Sequence, residues 1–375
     1  MTRVPINQKA KNRHARAGPD PVTADPRGRL ERLWRAGVAA VDGYRAVAAD
    51  LDRRPVPRPD LVLAVGKAAV PMARAALDRF GPRPALAVTK HGHADGAEGL
   101  EVIEAGHPVP DDGSLAAGAA LLDRVRAAGP EAHLLLLVSG GASALAEAPV
   151  DGMTLSALEA ETRRLLGSGA DIATMNARRC ELSRIKGGGL LRRFGGARVT
   201  VMAISDVQGD AIGVIGSGIG AVPKAAPFRH ETRIVASNAV ARAAVEAAAV
   251  AEGLAVRTNA ETLYRDVTEA AAMIGGVLRA EAPGLHVWGG EPTLLLPEQP
   301  GRGGRNQHLA LSVAAEITGH AGCGLLAAGT DGTDGPTEAA GAFVDGESWG
   351  PDAATALAAA DSGTYLDRRG LLFAP

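Results

Sequence analysis

Two glycine-dense loops, GGEPTLLLPEQPGRGGRNQ from Gly289 and GTDGTDGPTEAAG from Gly329, gather an unusual set of polar side chains. The first carries Glu291, Arg302, Arg305 and Asn306; the second carries Asp331, Asp334 and Glu338. Glycine lets a backbone approach a ligand closely and turn its N–H groups inward. Arginine beside such a loop suits phosphate or carboxylate, and clustered carboxylates suit a hard cation such as Mg²⁺. Anion-binding and cation-binding chemistry in one short stretch is what phosphoryl transfer requires. Glu291, Asp331 and Asp334 are the candidate cation-binding or hydroxyl-orienting carboxylates, although each is also a plausible loop cap.

More chemistry stands at the ends of apolar runs. LAVG leads into Lys67, LLLLV into Ser139, Gly140, Gly141 and Ser143, and VMAIS into Asp206. Lys67 falls at a strand-to-helix turn, where the helix N-terminus already favours an anion, so an unpaired lysine there calls for one. The SGGAS turn reads as a nest of N–H groups and hydroxyls for phosphate. Lys186 precedes three glycines in SRIKGGG, after a helix bearing Asn176, Arg178 and Arg179; a Lys-Gly ending is also an ordinary helix stop. His107, in AGHPVPDD, fits either a site role or a local hydrogen bond. No GxxxxGK[ST] occurs, and no GxGxxG separates the first strand from its helix, so neither a Walker A loop nor a dinucleotide fingerprint is present.

These residues need a rigid frame. The 375-residue chain is long enough for two domains, with 46% hydrophobic and only 3% aromatic residues, so its cores must be aliphatic. A net charge of -2 gives no reason to expect nucleic acid or an acidic membrane as partner. No apolar run approaches the roughly 18–20 residues that span a bilayer. Cys180 and Cys323 lie far apart without metal-ligand spacing, which suits reduced thiols in a cytoplasmic protein. A homodimer is compatible with the composition but not specified by it.

Residues 1–28 are basic and lack hydrophobic periodicity, the pattern of a disordered tail. A helix is predicted from about Arg29, ending before a Pro-rich joint at 55–59; this N-terminal part, 29–59, is expected to pack on the second domain. From Asp60, apolar runs of four to seven residues alternate with helical segments. That alternation predicts an α/β fold with a parallel sheet covered on both faces. The larger domain, Rossmann/flavodoxin-like, is placed at 60–235, and a smaller α/β domain with a mixed sheet at 236–375. A Gly- and Pro-rich joint is expected at 207–230. In parallel sheets ligands sit beyond the carboxyl ends of the strands, where Lys67, Ser139, Asp206, Glu291 and Asp331 recur.

VGKAAVPMA, AGHPVPDDGSLAAG, LLLLVSGGASAL, MNARRCELSRIKGG, AISDVQGD, GGEPT, GRGGRNQHLAL and GTDGTDGPTEAAGAFVDG follow one another between residue 61 and about 346. In these stretches the chain resembles the type II glycerate kinases, the glycerate 2-kinase or MOFRL family, some members of which are called hydroxypyruvate reductase. The resemblance implies a two-domain enzyme that moves the γ-phosphoryl of ATP to the 2-hydroxyl of D-glycerate, with Mg²⁺, in a cleft. Lys67 and Arg305 take the family's catalytic lysine and arginine. With the loop readings, this assigns phosphate or nucleotide to Ser139, Gly140, Gly141, Ser143 and Lys186. Substrate goes to Asn176, Arg179, Glu291 and Asn306, and metal to Asp206, Asp331 and Asp334.

Three departures stand out. Cys180 and Glu181 replace a basic pair, Gln208 and Ile219 replace prolines, and relatives continue past LLFAP, which makes the second domain C-terminally short. Two other readings remain in view: an NAD(P)H-dependent hydroxypyruvate reductase, and a binding protein that kept the cleft without the chemistry.

Overall fold

The computed structural model describes residues 25–167, 172–280 and 282–375. Most of the expected N-terminal tail lies outside that range. Order begins earlier than Arg29, because the Asp25 side chain accepts the Arg27 N–H and a proline opens α1 (Pro26–Ala40). Asp42 then caps a second helix through the Arg45 N–H, giving α2 (Gly43–Arg53) where one helix was expected.

The sheet of the larger unit is built from β1 (Leu61–Val65), β2 (Ala85–Lys90), β3 (Glu101–Ala105), β4 (His133–Val138), β5 (Arg198–Ile204) and β6 (Arg229–Ala236). All neighbours pair in parallel, in the order β3-β2-β1-β4-β5-β6. This is the doubly wound order, with its reversal between β1 and β4. Covering helices are α3 (Ala69–Phe80), α4 (Asp112–Ala127), the short α5 (Ala142–Leu145), α6 (Leu155–Gly167) and α7 (Ile172–Glu181). The apolar runs are unbroken because both faces are buried. In β4, Leu134, Leu136 and Val138 enter one core cluster, while Leu135 and Leu137 enter the other. The joint expected at 207–230 holds 3₁₀ turns at Gln208–Asp210 and Ile215–Gly218, as its Gly and Pro content predicts, and ends where β6 begins at Arg229.

The smaller unit holds α8 (Asn238–Ala251), β7 (Val256–Glu261), α9 (Val267–Ala280), β8 (Leu285–Gly289), α10 (Arg305–Glu316), β9 (Gly324–Ala328), β10 (Gly341–Asp345), α11 (Ala353–Ala358), α12 (Ser362–Arg368) and β11 (Leu372–Phe373). β7 and β8 form a parallel pair, and β11-β10-β9 an antiparallel sheet. Helix α10 lies against α9 and against β9 and β10, with Leu309, Leu311, Val313 and Ile317 buried beneath it. The N-terminal helices divide between the units. α1 packs on α8 and β9, with Trp34 edge-on to Phe373 at 5.0 Å, whereas α2 packs on α3 and β6. Both cysteines are free thiols, and no described helix is long and apolar enough to cross a membrane.

Candidate active site

The reversal between β1 and β4 opens a gap beyond their carboxyl ends, and two loops fill it. Ser139 N–H donates to the Val65 carbonyl at 2.9 Å, and the Lys67 N–H to the Gly140 carbonyl at 2.9 Å. The Ser139 hydroxyl accepts the Ala68 N–H at 3.1 Å and is buried, so it ties the two loops together rather than facing a ligand. A side chain on Gly66 would strike Ser139, and its φ of 131° is one that L residues rarely adopt, so glycine is required for this close approach. At Gly140 a Cβ would meet the Asp206 carboxylate, which would have to turn aside from its place in the gap. Among the described residues the Gly140 and Gly141 N–H groups meet no backbone acceptor, which leaves them for a ligand.

Side chains of the second unit face this gap. Lys67 Nζ lies 3.2 Å from Asp331 Oδ2, an ion pair that joins the end of β1 to the loop after β9. Arg305, at the first position of α10, pairs with Glu291. Glu291 is close enough to Asp206 to raise its carboxyl, so Lys67, Asp206, Glu291, Asp331 and Arg305 share one cleft between the units. Asn306, beside Arg305, does not open to it freely. Its backbone N–H and its Nδ2 both donate to Asp334 at 3.1 Å.

Asp334 therefore departs from the expected metal set. It is 3% exposed, and its second oxygen accepts the Gln307 N–H at 2.8 Å. Both oxygens cap the N-terminus of α10, the loop-capping role that such a residue can also play. Among the described residues no three His, Cys, Asp or Glu side chains converge as a preformed metal site. Asp206, Glu291 and Asp331 remain; Asp331 is paired with Lys67 and Glu291 with Arg305, and the Glu291 charge is felt at Asp206, while Mg²⁺ in phosphoryl-transfer sites is held by one or two carboxylates plus substrate phosphates. The donor set fits that mode of binding.

Burial in the cleft pushes the Asp206 carboxyl up, the Glu291 charge adds to this and Lys67 opposes it. For Asp331, burial also pushes upward, but the Lys67 ammonium and the Thr333 N–H bring it below the usual range. Burial, then the charges of Lys67 and Lys90, lower His107 to about 4, so this imidazole is neutral near pH 7. Gly141 lies between Lys67 and His107, which puts His107 in the same gap.

Behind the gap lies a cavity of about 230 Å³, walled by His107, Gly141, Ser143, Asn176, Arg179 and Lys186 among others. Ser143 and Ser217 hydroxyls are 2.7 Å apart, and Ser217 donates to Asn176 Oδ1 at 2.8 Å, which leaves the buried Asn176 Nδ2 unpartnered. Arg179 is half-buried there, and no hydrogen bond or ion pair ties it down among the described residues. Lys186 reaches the cavity but pairs with the fully buried Glu147, so its charge is already matched. Sequence reasoning missed Glu147, Ser217 and Tyr264. Ser217 adopts a φ of 53°, uncommon for a non-glycine residue, and the run GVIGSGIG around it was the available signal. Tyr264 donates to Glu261 at 3.1 Å; burial, then Glu261, Glu291 and Asp206, raise its phenol and keep it a donor.

Residues 29–252 match a family profile described as "Domain of unknown function (DUF4147)", and residues 284–374 match the MOFRL family. A D-glycerate 2-kinase from Thermotoga maritima is 35% identical, over 84% of this chain and 85% of its own. The chain belongs to the MOFRL family of glycerate kinases. The solved structure of a Thermotoga maritima glycerate kinase superposes on it with a TM-score of 0.81 at 30% identity, covering 93% of this chain and 95% of that one. A relative from Agrobacterium vitis, 35% identical over 84% of this chain and 82% of its own, bears hydroxypyruvate reductase as a provisional name.

Within this MOFRL chain the departures are absorbed locally. Glu181 pairs outward with Arg178 at 2.9 Å, away from the cavity, and the Cys180 thiol donates to the Ser217 carbonyl at 3.4 Å. Ile219 is buried in the larger core. The first profile ends at residue 252 and so includes α8, although α8 packs on β7 and β8 of the smaller unit.

Proposed function

We propose that the protein is an ATP-dependent D-glycerate kinase that phosphorylates the 2-hydroxyl. The observation that carries this reading is the Lys67–Asp331 pair across the cleft, with the Arg305–Glu291 pair and the Asp206 carboxylate beside it. Family membership supports the kinase over the reductase, and no dinucleotide fingerprint occurs.

D-glycerate enters the cavity, its carboxylate on Arg179 and Asn176 Nδ2, side-chain donors that have no protein partner there among the described residues. The free Gly140 and Gly141 N–H groups and Lys67 hold phosphate oxygens of the nucleotide at the cavity mouth. Neutral His107 leaves room for that charge without competing for it. Asp206 and Glu291 would hold Mg²⁺, which supplies neutralising charge to the phosphates when bound. Arg305, on the rigid start of α10, stabilises the charge that spreads over the transferring group. A loose phosphoryl transition state makes little demand on a base, so positioning and electrostatics provide most of the acceleration.

Two assays on the same preparation test this. ADP formation from ATP, Mg²⁺ and D-glycerate is expected, without NADH consumption on hydroxypyruvate. The opposite pattern would establish the reductase, and binding of both ligands without either reaction would mark a binding protein.

A further inference from the structure

Glu147 has no part in the transfer just described, yet it stands directly behind the cavity. It follows α5, is fully buried, and takes two donors: the Ala148 N–H at 2.9 Å on one oxygen and Lys186 Nζ on the other. Lys186 is 4% exposed and lines the cavity. Burial lowers its ammonium, Glu147 opposes this, and the nearby Arg179 adds to it, so Lys186 and Arg179 feel each other. Two adjacent cations in a half-dry cavity make a site for a phosphate dianion. Glu147 cancels one of them. The cancellation holds wherever the shared proton lies, because ammonium with carboxylate and amine with carboxylic acid both sum to zero. What remains in the wall is Arg179, a cation with no paired carboxylate among the described residues, beside neutral hydroxyls and an amide, while the Asp206 carboxylate lines the end of the cavity toward the cleft.

We infer that Glu147 is a positioning residue for specificity: by pairing Lys186 inside the cavity wall, it tunes the cavity to a singly charged hydroxy acid and against phosphorylated acids, the product included. This rests on the cavity being the hydroxy-acid site. It gives the kinase a reason to carry a buried ion pair that costs desolvation and contributes little net stability. The acceptor substrate is held by one fork-shaped cation, and the phosphorylated product is released because no second charge retains it.

Binding of D-glycerate and of 2-phosphoglycerate, measured by calorimetry without nucleotide, reads the claim directly as a ratio of two affinities. Glu147→Gln keeps the side-chain shape and an acceptor for the Ala148 N–H while removing the counter-ion of Lys186, so that a bound phosphate takes the place of that carboxylate and holds the lysine charged. It is expected to shift the ratio about tenfold toward 2-phosphoglycerate. Lys186→Gln leaves Glu147 uncompensated and shifts the ratio the other way, because a buried negative charge opposes the phosphorylated acid more than the singly charged one. The double variant, neutral again, returns the ratio to within about threefold of the wild type. Each variant that folds decides on its own. A ratio that stays put while both affinities fall together would make the pair merely structural and overturn the inference. Wild-type protein that binds no D-glycerate would remove the site reading itself. Wild-type protein that binds it but forms no ADP would remove only the kinase reading.

Discussion

His107 shows how a single side chain is set by its surroundings. It lies across the Gly141 turn from Lys67, half-buried, and its imidazole is lowered to about 4 by burial and then by the neighbouring lysines. In the unfolded chain the same group takes its proton near the ordinary value of about 6.5. Between these two values the unfolded state binds the extra proton, so the stability linked to neutral His107 is full above about 6.5. It is lost as pH falls toward 4. His133 and His308 are lowered in the same direction, so the slope of stability with pH has several contributors. Replacing His107 by Asn should flatten part of the fall in thermal midpoint between pH 6.5 and 4. An unchanged slope would show that His107 is not held neutral by the cleft. Its chemical role was not legible beforehand, because a histidine after a strand reads equally as a local hydrogen-bonding residue.

Helix α10 is the element that carries the second half of the site, and its first turn depends on Asp334. That carboxylate takes the backbone N–H groups of Asn306 and Gln307 and the Asn306 side chain, which fixes the helix start and with it Arg305. Replacing Asp334 by Ala is expected to cost about 1–2 kcal/mol in denaturant unfolding, the scale of a lost N-cap. The Mg²⁺ concentration that supports half-maximal rate should stay as in the wild type. A large rise in that concentration at unchanged stability would instead make Asp334 a metal ligand. The sequence shows why the two roles were hard to separate: Asp334 lies in a glycine-rich loop between β9 and β10, and the helix it caps begins earlier in the chain. By contrast β1 and β4 were legible as strands, because burial on both faces leaves a dense apolar run, and in β5 only Thr200 interrupts the run from Val199 to Ile204. β7 was not. It reads VRTNAE, with half-buried and exposed positions alternating among polar residues, so it lacks the apolar signature that marks the central strands. The break between α1 and α2 was equally hidden, since Asp42–Gly43 interrupts a pattern that otherwise continues.

At the level of the whole molecule, the proposed function depends on two units supplying opposite walls. Lys67 and Asp331 are 264 positions apart in the chain yet meet at 3.2 Å. No periodicity or local motif reports such a meeting. The sequence indicated which residues were unusual and which strand ends they occupy, while their juxtaposition came only with the packed structure. Glu147 and Ser217 were invisible for a related reason: each acts through a partner that is remote in sequence, Lys186 for one and Ser143 with Asn176 for the other. α1, packed on α8 and β9 and continuing into α2 on α3 and β6, braces the two units against each other. The most direct measurement is the rate of ADP formation with D-glycerate for wild type, Lys67→Ala and Arg305→Ala, each checked for folding. Lys67 and Arg305 contribute from opposite walls, so both variants should lose about a hundredfold or more in kcat/KM. A folded variant of either residue that turns over at the wild-type rate would contradict a catalytic cleft built from both units.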